Sequence, residues 1–204
     1  MKNTNRIGIG FIGGGFITRF HIKSLIGVRD CDVIGVMSKT RSSAEESCAL
    51  SKALGIGEAK PYNSVTEMVS DPSINALWIC APNFTRLEIM EEIVNAIESG
   101  KGELIGIACE KPLGRNVKEA KQMLALAKKV DLLDGYLENQ VFAPSVTKGK
   151  EIIWERGASK TGRPYLARAS EEHSGPHMPW FWEGELQGGG VLNDMMCHSV
   201  EEAR

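Results

Sequence analysis

The sequence predicts an α/β protein: a doubly wound parallel sheet, followed by the beginning of an incomplete α+β domain. Three observations predict it. Short apolar, strand-like runs alternate with helical patterns over residues 6–137, and such alternation implies βαβ units and a parallel sheet. A glycine turn, Gly13-Gly14-Gly15, joins the first apolar run to the first helical pattern. After about Asn139 the alternation stops, which places a domain boundary between residues 1–138 and 139–204.

Each element has its own local warrant. Residues 6–12 carry Ile7-Gly8-Ile9-Gly10-Phe11-Ile12, a run of strand length. The helical pattern at 16–26 starts directly after the three glycines. Residues 32–37 form a second apolar run, and the helical pattern at 43–54 gives way to Gly55 and Gly57, as helices commonly do. Residues 76–80 read as the next strand and 85–99 as the next helix, closed by Gly100. Leu104-Ile105-Gly106-Ile107-Ala108-Cys109 reads as a strand buried on both faces. It turns polar at Glu110-Lys111-Pro112, where the proline ring fixes φ and removes an N–H. A helix over 117–128 and a strand over 132–137 complete the alternation. Beyond it, a helix is expected at 144–156, an extended run at 164–170, and a loop rich in Gly, Pro, His and Trp at 173–182. Gly188-Gly189-Gly190 then leads into a helical pattern at 191–204. That pattern stops at Arg204 without a capping Gly or Asn, and the region after 139 is short for a core of its own. The sequence therefore reads as the N-terminal part of a longer protein.

The 204 residues are 42% hydrophobic and 25% charged, with a formal net charge of -2, an ordinary globular composition. A balance so close to neutral argues against nucleic acid and against a basic membrane-binding surface. No apolar run is long enough to span a bilayer. The run at 6–12 does not read as a signal peptide, because no small-residue cleavage site follows and Arg19, His21 and Lys23 arrive too soon. Five cysteines, an odd number with no Cys-x-x-Cys, fit a reducing, cytoplasmic compartment. Cys80 and Cys109 fall in apolar runs, where Cys usually acts as a small buried hydrophobe.

The glycine turn suits a dinucleotide. Gly13 permits a tight turn, and Gly15, lacking a Cβ, lets a pyrophosphate approach the backbone. Phe16 and Ile17 open a helix whose free N–H groups and dipole favour phosphate. Thr18 replaces the third glycine of the usual fingerprint, so helix–strand packing is expected to be slightly looser there. Three adjacent glycines suit a purely structural turn equally well. At the end of the second strand, Ser38 stands where an NAD-preferring site has Asp or Glu, and Lys39, Thr40 and Arg41 follow. A carboxylate would repel a 2′-phosphate, whereas Ser, Lys and Arg hydrogen-bond and neutralise it. NADP is therefore expected in preference to NAD, against the alternative of an ordinary solvated basic loop. Cys80-Ala81-Pro82-Asn83 forms another turn at a strand's carboxyl end. Its Asn83 amide suits the ribose or nicotinamide end of a cofactor, or a plain Pro-Asn turn.

Open parallel sheets bind ligands beyond the carboxyl ends of their strands. Lys111 emerges there, beside Glu110, with an ammonium group that burial can tune. Asp194 and His198 are four apart in a helical pattern and so share a face, which lets the carboxylate orient the imidazole. The same spacing suits a metal, with Cys197 or His177 as a further ligand, but no third ligand has convincing spacing and no metal is assigned. A capping Asp and a packed His is the plainer alternative. Trp180, Phe181 and Trp182 suit stacking on a sugar face, or ordinary packing.

The ordered set Gly13-x-Gly15, Pro82-Asn83, Glu110-Lys111-Pro112 and Gly188-Gly189-Gly190…Asp194-x-x-x-His198 resembles the Gfo/Idh/MocA family of glucose–fructose oxidoreductases and inositol dehydrogenases. The resemblance runs over essentially the whole chain. It implies an N-terminal Rossmann domain, a C-terminal domain with a large open sheet that carries the substrate and oligomer contacts, and a homo-oligomer in the full-length protein. It also implies NAD(P)-dependent oxidation or reduction of a sugar, cyclitol or related polyol. Carried over by position, the family's catalytic Lys, Asp and His fall on Lys111, Asp194 and His198. Arg86 departs from the family, standing where many members have His. Two alternatives remain: a non-catalytic nucleotide-binding regulator on the same fold, and a truncated chain that binds cofactor without turnover.

Overall fold

The structure is a computed structural model and describes residues 6–176 and 178–204. The chain divides into two compact units, the first running to Tyr136 and the second from Leu137 to Arg204.

The first unit is a six-stranded sheet flanked by helices. In chain order it runs β1 (Ile7–Ile12), α1 (Phe16–Ser24), β2 (Cys31–Met37), α2 (Arg41–Ala53), β3 (Lys60–Tyr62), α3 (Val65–Val69), β4 (Ala76–Ile79), α4 (Arg86–Glu98), β5 (Gly106–Glu110), α5 (Val117–Lys129) and β6 (Leu133–Leu137). The strand order is β3-β2-β1-β4-β5-β6, the doubly wound order of dinucleotide-binding sheets. The ladders joining β1 to β2 and β4, β2 to β3, and β4 to β5 are all parallel. The strand order reverses between β1 and β4, and open parallel sheets hold their ligands at such a switch point, beyond the carboxyl ends of the strands.

Apolar side chains fill both faces. One layer gathers Met68, Leu77, Met90, Ile93 and Met123 under α3, α4 and α5. The other gathers Phe11, Ile22, Val33, Val36 and Cys48 under α1 and α2. Each such large side chain contributes roughly 1.5–3 kcal/mol when fully buried. Phe11 and His21 both meet the Trp78 ring edge-on, with centroids 5.1 and 5.2 Å away. The helix starts follow local chemistry. The side chains of Ser64 and Asn116 accept from the N–H groups of Glu67 and Glu119, capping α3 and α5. Gly55 and Gly100 take positive φ just past α2 and α4.

Three differences from the sequence reading have clear causes. β3 and α3 are absent from it because β3 is only three residues long, contains Pro61 and pairs only at the sheet edge, where proline is tolerated. β5 starts at Gly106; Leu104 and Ile105 precede it, and Ile105 is exposed. The helix expected over 144–156 is α-helical only as α6 (Pro144–Glu151), continuing as wider π turns over Ile152–Gly157 and then α7 (Ala158–Thr161).

The second unit continues through an exposed, irregular stretch over 164–170, where an extended run was expected. It closes with α8 (Gly184–Gln187), α9 (Val191–Asp194) and α10 (Met196–Ala203). No helix among the described residues is long and apolar enough to cross a membrane.

Candidate functional site

The turn after β1 lies at the switch point. Gly13 has φ +107, and a Cβ there would stand 2.8 Å from the backbone of Cys80 and Ala81 at the end of β4. A Cβ on Gly14 would stand 2.8 Å from the backbone of Ser43 in α2. Gly15 differs: its Cβ would meet nothing within 4 Å. The turn is tied down by Gly13 N–H donating to Met37 O (2.7 Å) and Cys80 N–H to Ile12 O (2.8 Å). The Gly14 carbonyl accepts from Arg19 Nη1 (3.0 Å) and Ser47 Oγ (3.2 Å). Thr18 does not loosen the packing, as its replacement of glycine suggested. It is fully buried, and its hydroxyl donates to Gly13 O at 2.6 Å, fastening the helix to the turn. α1 has no side-chain cap and no acidic residue in its first turn. Its N-terminal N–H groups and dipole therefore face the open space beside Gly15 without a local anion, an arrangement that fits a pyrophosphate.

Around this turn, Ser38 is half-buried at the end of β2, while Lys39, Thr40 and Arg41 are exposed. Arg41 donates to Glu45 Oε1 (3.0 Å) and Asn63 Oδ1 (2.9 Å); exposed pairs of this kind are weak and displaceable. Phe16 is exposed at the start of α1 and Ile17 half-buried. Burial pushes the Cys80 thiol far above its ordinary range and the Cys109 thiol up to about 11, so both act as inert packing groups. Pro82 is half-buried, and Ala81 and Asn83 are buried.

Lys111 leaves the end of β5 half-buried, next to a cis peptide bond to Pro112. Its position is held from two sides. Glu110 is buried; its Oε1 pairs with His21 Nε2 at 2.6 Å, and its Oε2 accepts the Lys111 N–H at 3.0 Å. Arg86, also buried, donates through Nε to Ala81 O at 2.8 Å and through Nη1 to the carbonyls of Glu110 and Pro112. One guanidinium thus ties the turn after β4 to the turn after β5.

In the second unit, Gln187 is buried and organises the glycine run. Its Oε1 accepts from the Gly189 N–H at 2.8 Å and from the Gly190 N–H. Gly188 and Gly190 take φ +94 and +59. The helical pattern beyond them breaks at Met195, so Asp194 ends α9 and His198 lies in α10. A single helix face does not carry the pair. His198 is buried, and its Nδ1 meets Glu138 Oε1 at 2.5 Å. The orienting carboxylate at that nitrogen is therefore Glu138, directly after β6. Asp194 lines a groove of about 470 Å³ with His173, Pro176, Trp182, Gln187 and Met195. Trp180 and Phe181 stack at 3.9 Å, and Trp182 is exposed. His177 lies outside the described residues.

A family model described as an oxidoreductase family with an NAD-binding Rossmann fold matches residues 7–133. The chain belongs to the Gfo/Idh/MocA family. Among its relatives, a 1,5-anhydro-D-fructose reductase of Ensifer adhaerens is 30% identical over 96% of this chain and 55% of its own length. A scyllo-inositol 2-dehydrogenase (NADP(+)) of Bacillus subtilis is 29% identical over 89% of this chain and 53% of its own. A levoglucosan dehydrogenase solved in complex with NADH superposes with a TM-score of 0.72 at 25% identity, over 98% of this chain and 53% of that one. The chain spans about half the length of the curated relatives it matches.

The fold of this family member packs Gly13 against the backbone of Cys80 and Ala81, leaves Gly15 open two residues on, and sets Lys111 directly after β5. Sequence reasoning missed Gly14, Arg86, Glu138 and Gln187 as organising residues. Gly14 alone carried a local signal, as the middle residue of the glycine run. The other three act through partners that spacing along the chain does not reveal.

Proposed function

We propose that the protein is an NADP(H)-preferring oxidoreductase acting on a hydroxyl-bearing carbon of a sugar, cyclitol or related polyol. One observation carries the reading: at the switch point, Gly13 and Gly14 are pinned by backbone contacts, while Gly15 faces open space at an uncapped helix N-terminus. Family membership and the sugar and inositol relatives support the substrate class.

A bound nicotinamide supplies the hydride acceptor or donor. The chain's own residues supply position and proton transfer. α1 receives the pyrophosphate. Ser38, Lys39 and Arg41 receive the 2′-phosphate, with Arg41 exchanging its exposed partners for it; Thr40 lies between them at the start of α2. Asn83, after β4, and Glu110, at the end of β5, are assigned to the ribose or nicotinamide end of the cofactor. Lys111 donates a hydrogen bond to the reacting oxygen and stabilises the charge that develops there. His198 takes the hydroxyl proton through Nε2, held in that tautomer by Glu138 on Nδ1. The groove that Asp194 lines is assigned to the polyol. The full-length protein is read as a cytoplasmic homo-oligomer.

Fluorescence titration with NADPH and NADH tests the cofactor reading. NADPH is expected to bind more tightly, and Ser38→Asp to reverse the order by placing a carboxylate against the 2′-phosphate. Equal curves for the two cofactors overturn the NADP preference. Absence of binding to either overturns the reading of the turn.

A further inference from the structure

For Asp194 and His198 the sequence offers Cys197 or His177 as a third metal ligand without convincing spacing; the fold gathers a different set. Glu138 lies 60 residues before His198, yet a carboxylate oxygen of Glu138, the Cys197 Sγ and a ring nitrogen of His198 all lie within 4.8 Å of one another. The three residues belong to the second unit. Glu138 is 3% exposed and His198 6%, and Cys197 is half-buried. The two carboxylate oxygens are unequal. Oε1 accepts from the Gln140 N–H (3.0 Å) and meets His198 Nδ1 (2.5 Å). Oε2 is buried and has no hydrogen-bond partner among the described residues. A buried carboxylate oxygen without a donor is costly and rare, and it marks a place where a cation or water belongs.

We propose that Glu138, Cys197 and His198 form a binding site for a borderline-soft divalent cation, best matched by Zn²⁺. Thiolate and imidazole select against Mg²⁺ and Ca²⁺, which take oxygen ligands. One carboxylate, one thiolate and one neutral imidazole balance the two positive charges, so the loaded site is neutral and compatible with burial. Three protein ligands leave one tetrahedral position for water or another oxygen ligand. Zinc–ligand bonds of about 2.0–2.3 Å set ligand atoms about 3.3–3.8 Å apart, so in the loaded site Nδ1 exchanges Oε1, 2.5 Å away, for the cation, and the partnerless Oε2 supplies the carboxylate bond. The proton balance is simple: the cation displaces the Cys197 thiol proton to solvent, and the ring exchanges its Nδ1 proton for one on Nε2. A loaded His198 therefore presents a donor at Nε2 where the metal-free ring presents an acceptor. Metal binding and the proposed base role exclude each other at this residue.

The test uses Co²⁺ as the probe, titrated into the chelator-treated chain without nicotinamide cofactor, so its outcome is independent of the dinucleotide reading. The expected result is one Co²⁺ per chain, with a near-ultraviolet thiolate-to-cobalt band and visible absorption of tetrahedral intensity, both removed by stoichiometric Zn²⁺. Cys197→Ser should abolish the near-ultraviolet band, and Glu138→Gln should weaken binding more than about tenfold. His173→Ala, which removes a histidine outside the cluster, should leave the titration unchanged. Circular dichroism checks that each variant is folded; Cys197→Ser, a conservative change at a half-buried position, keeps the test open if Glu138→Gln fails to fold. Substoichiometric Co²⁺, or a band that survives Cys197→Ser, overturns the proposal.

Discussion

Arg86 donates to three carbonyls from a buried position, and no other residue type has the planar fork to do so. Arg86→Ala leaves those acceptors without their donor and should cost about 3 kcal/mol in urea unfolding, with Arg86→Lys recovering only part of it. Cofactor affinity should fall with it, because the turns after β4 and β5 lose their shared anchor. Lys111 and His198 carry the proposed chemistry. Replacing either by Ala should lower the rate with a polyol substrate about 10²–10⁴-fold while NADPH titration stays near the native curve. Near-native rates in both variants would remove them from the mechanism. Glu110 and Glu138 illustrate a shared device: each buried carboxylate meets one imidazole nitrogen, His21 Nε2 and His198 Nδ1 respectively.

At the scale of elements, the glycine turn separates two demands that look identical in the sequence. Gly14 is required by α2, whose backbone would stand 2.8 Å from an added Cβ and cannot yield as a side chain can. Gly14→Ala should therefore destabilise the protein by about 1–3 kcal/mol. Gly15 has φ -81 and open space around it. Gly15→Ala should leave the thermal midpoint close to native yet weaken cofactor binding, since the methyl enters the space read as the pyrophosphate's. Thermal unfolding and fluorescence titration, run side by side on both variants, check the contrast. A Gly15→Ala chain with undiminished affinity would show that the turn is structural only. The break at Met195 has similar weight: it ends α9 and starts α10, and so sets His198 toward Glu138.

At the scale of the molecule, the loss of stability in acid has an identifiable source. Burial alone would raise the Asp71 carboxyl. Donation from Tyr62 Oη (2.7 Å), the Ser73 N–H (2.9 Å) and Lys60 Nζ (3.0 Å) outweighs that and holds it well below the ordinary carboxylate range. A carboxyl that is more acidic folded than unfolded stabilises the fold fully above its unfolded value of about 4. That contribution is lost as pH falls through the folded value. Asp71→Asn should thus be less stable than the native protein at neutral pH, and the gap should narrow below about pH 4. Urea unfolding at a series of pH values checks it; a gap constant with pH would assign the stability elsewhere. Two of the three partners, Tyr62 and Lys60, join β3 to the loop after α3, the part of the sheet that local patterns did not disclose.

The sequence by itself determined the parallel, doubly wound sheet, the glycine turn at its first crossover, and the placing of Lys111 at the end of β5. These are local properties: apolar period, glycine and proline positions, and the abrupt change at Glu110 all act within a few residues of where they are read. Tertiary structure alone decided that Gly14 must accommodate α2, that Arg86 joins two turns, and that Glu138 meets His198. The spacing of Asp194 and His198 suggested a pair on one helix, but the helix ends between them and a carboxylate 60 residues away takes the Nδ1 position. The physical reason is that periodicity specifies which face of a segment is buried, whereas the partner of a buried polar group depends on where the chain's path brings distant backbone. Burial then enforces the pairing, because a polar group cut off from water must find its partner inside the fold.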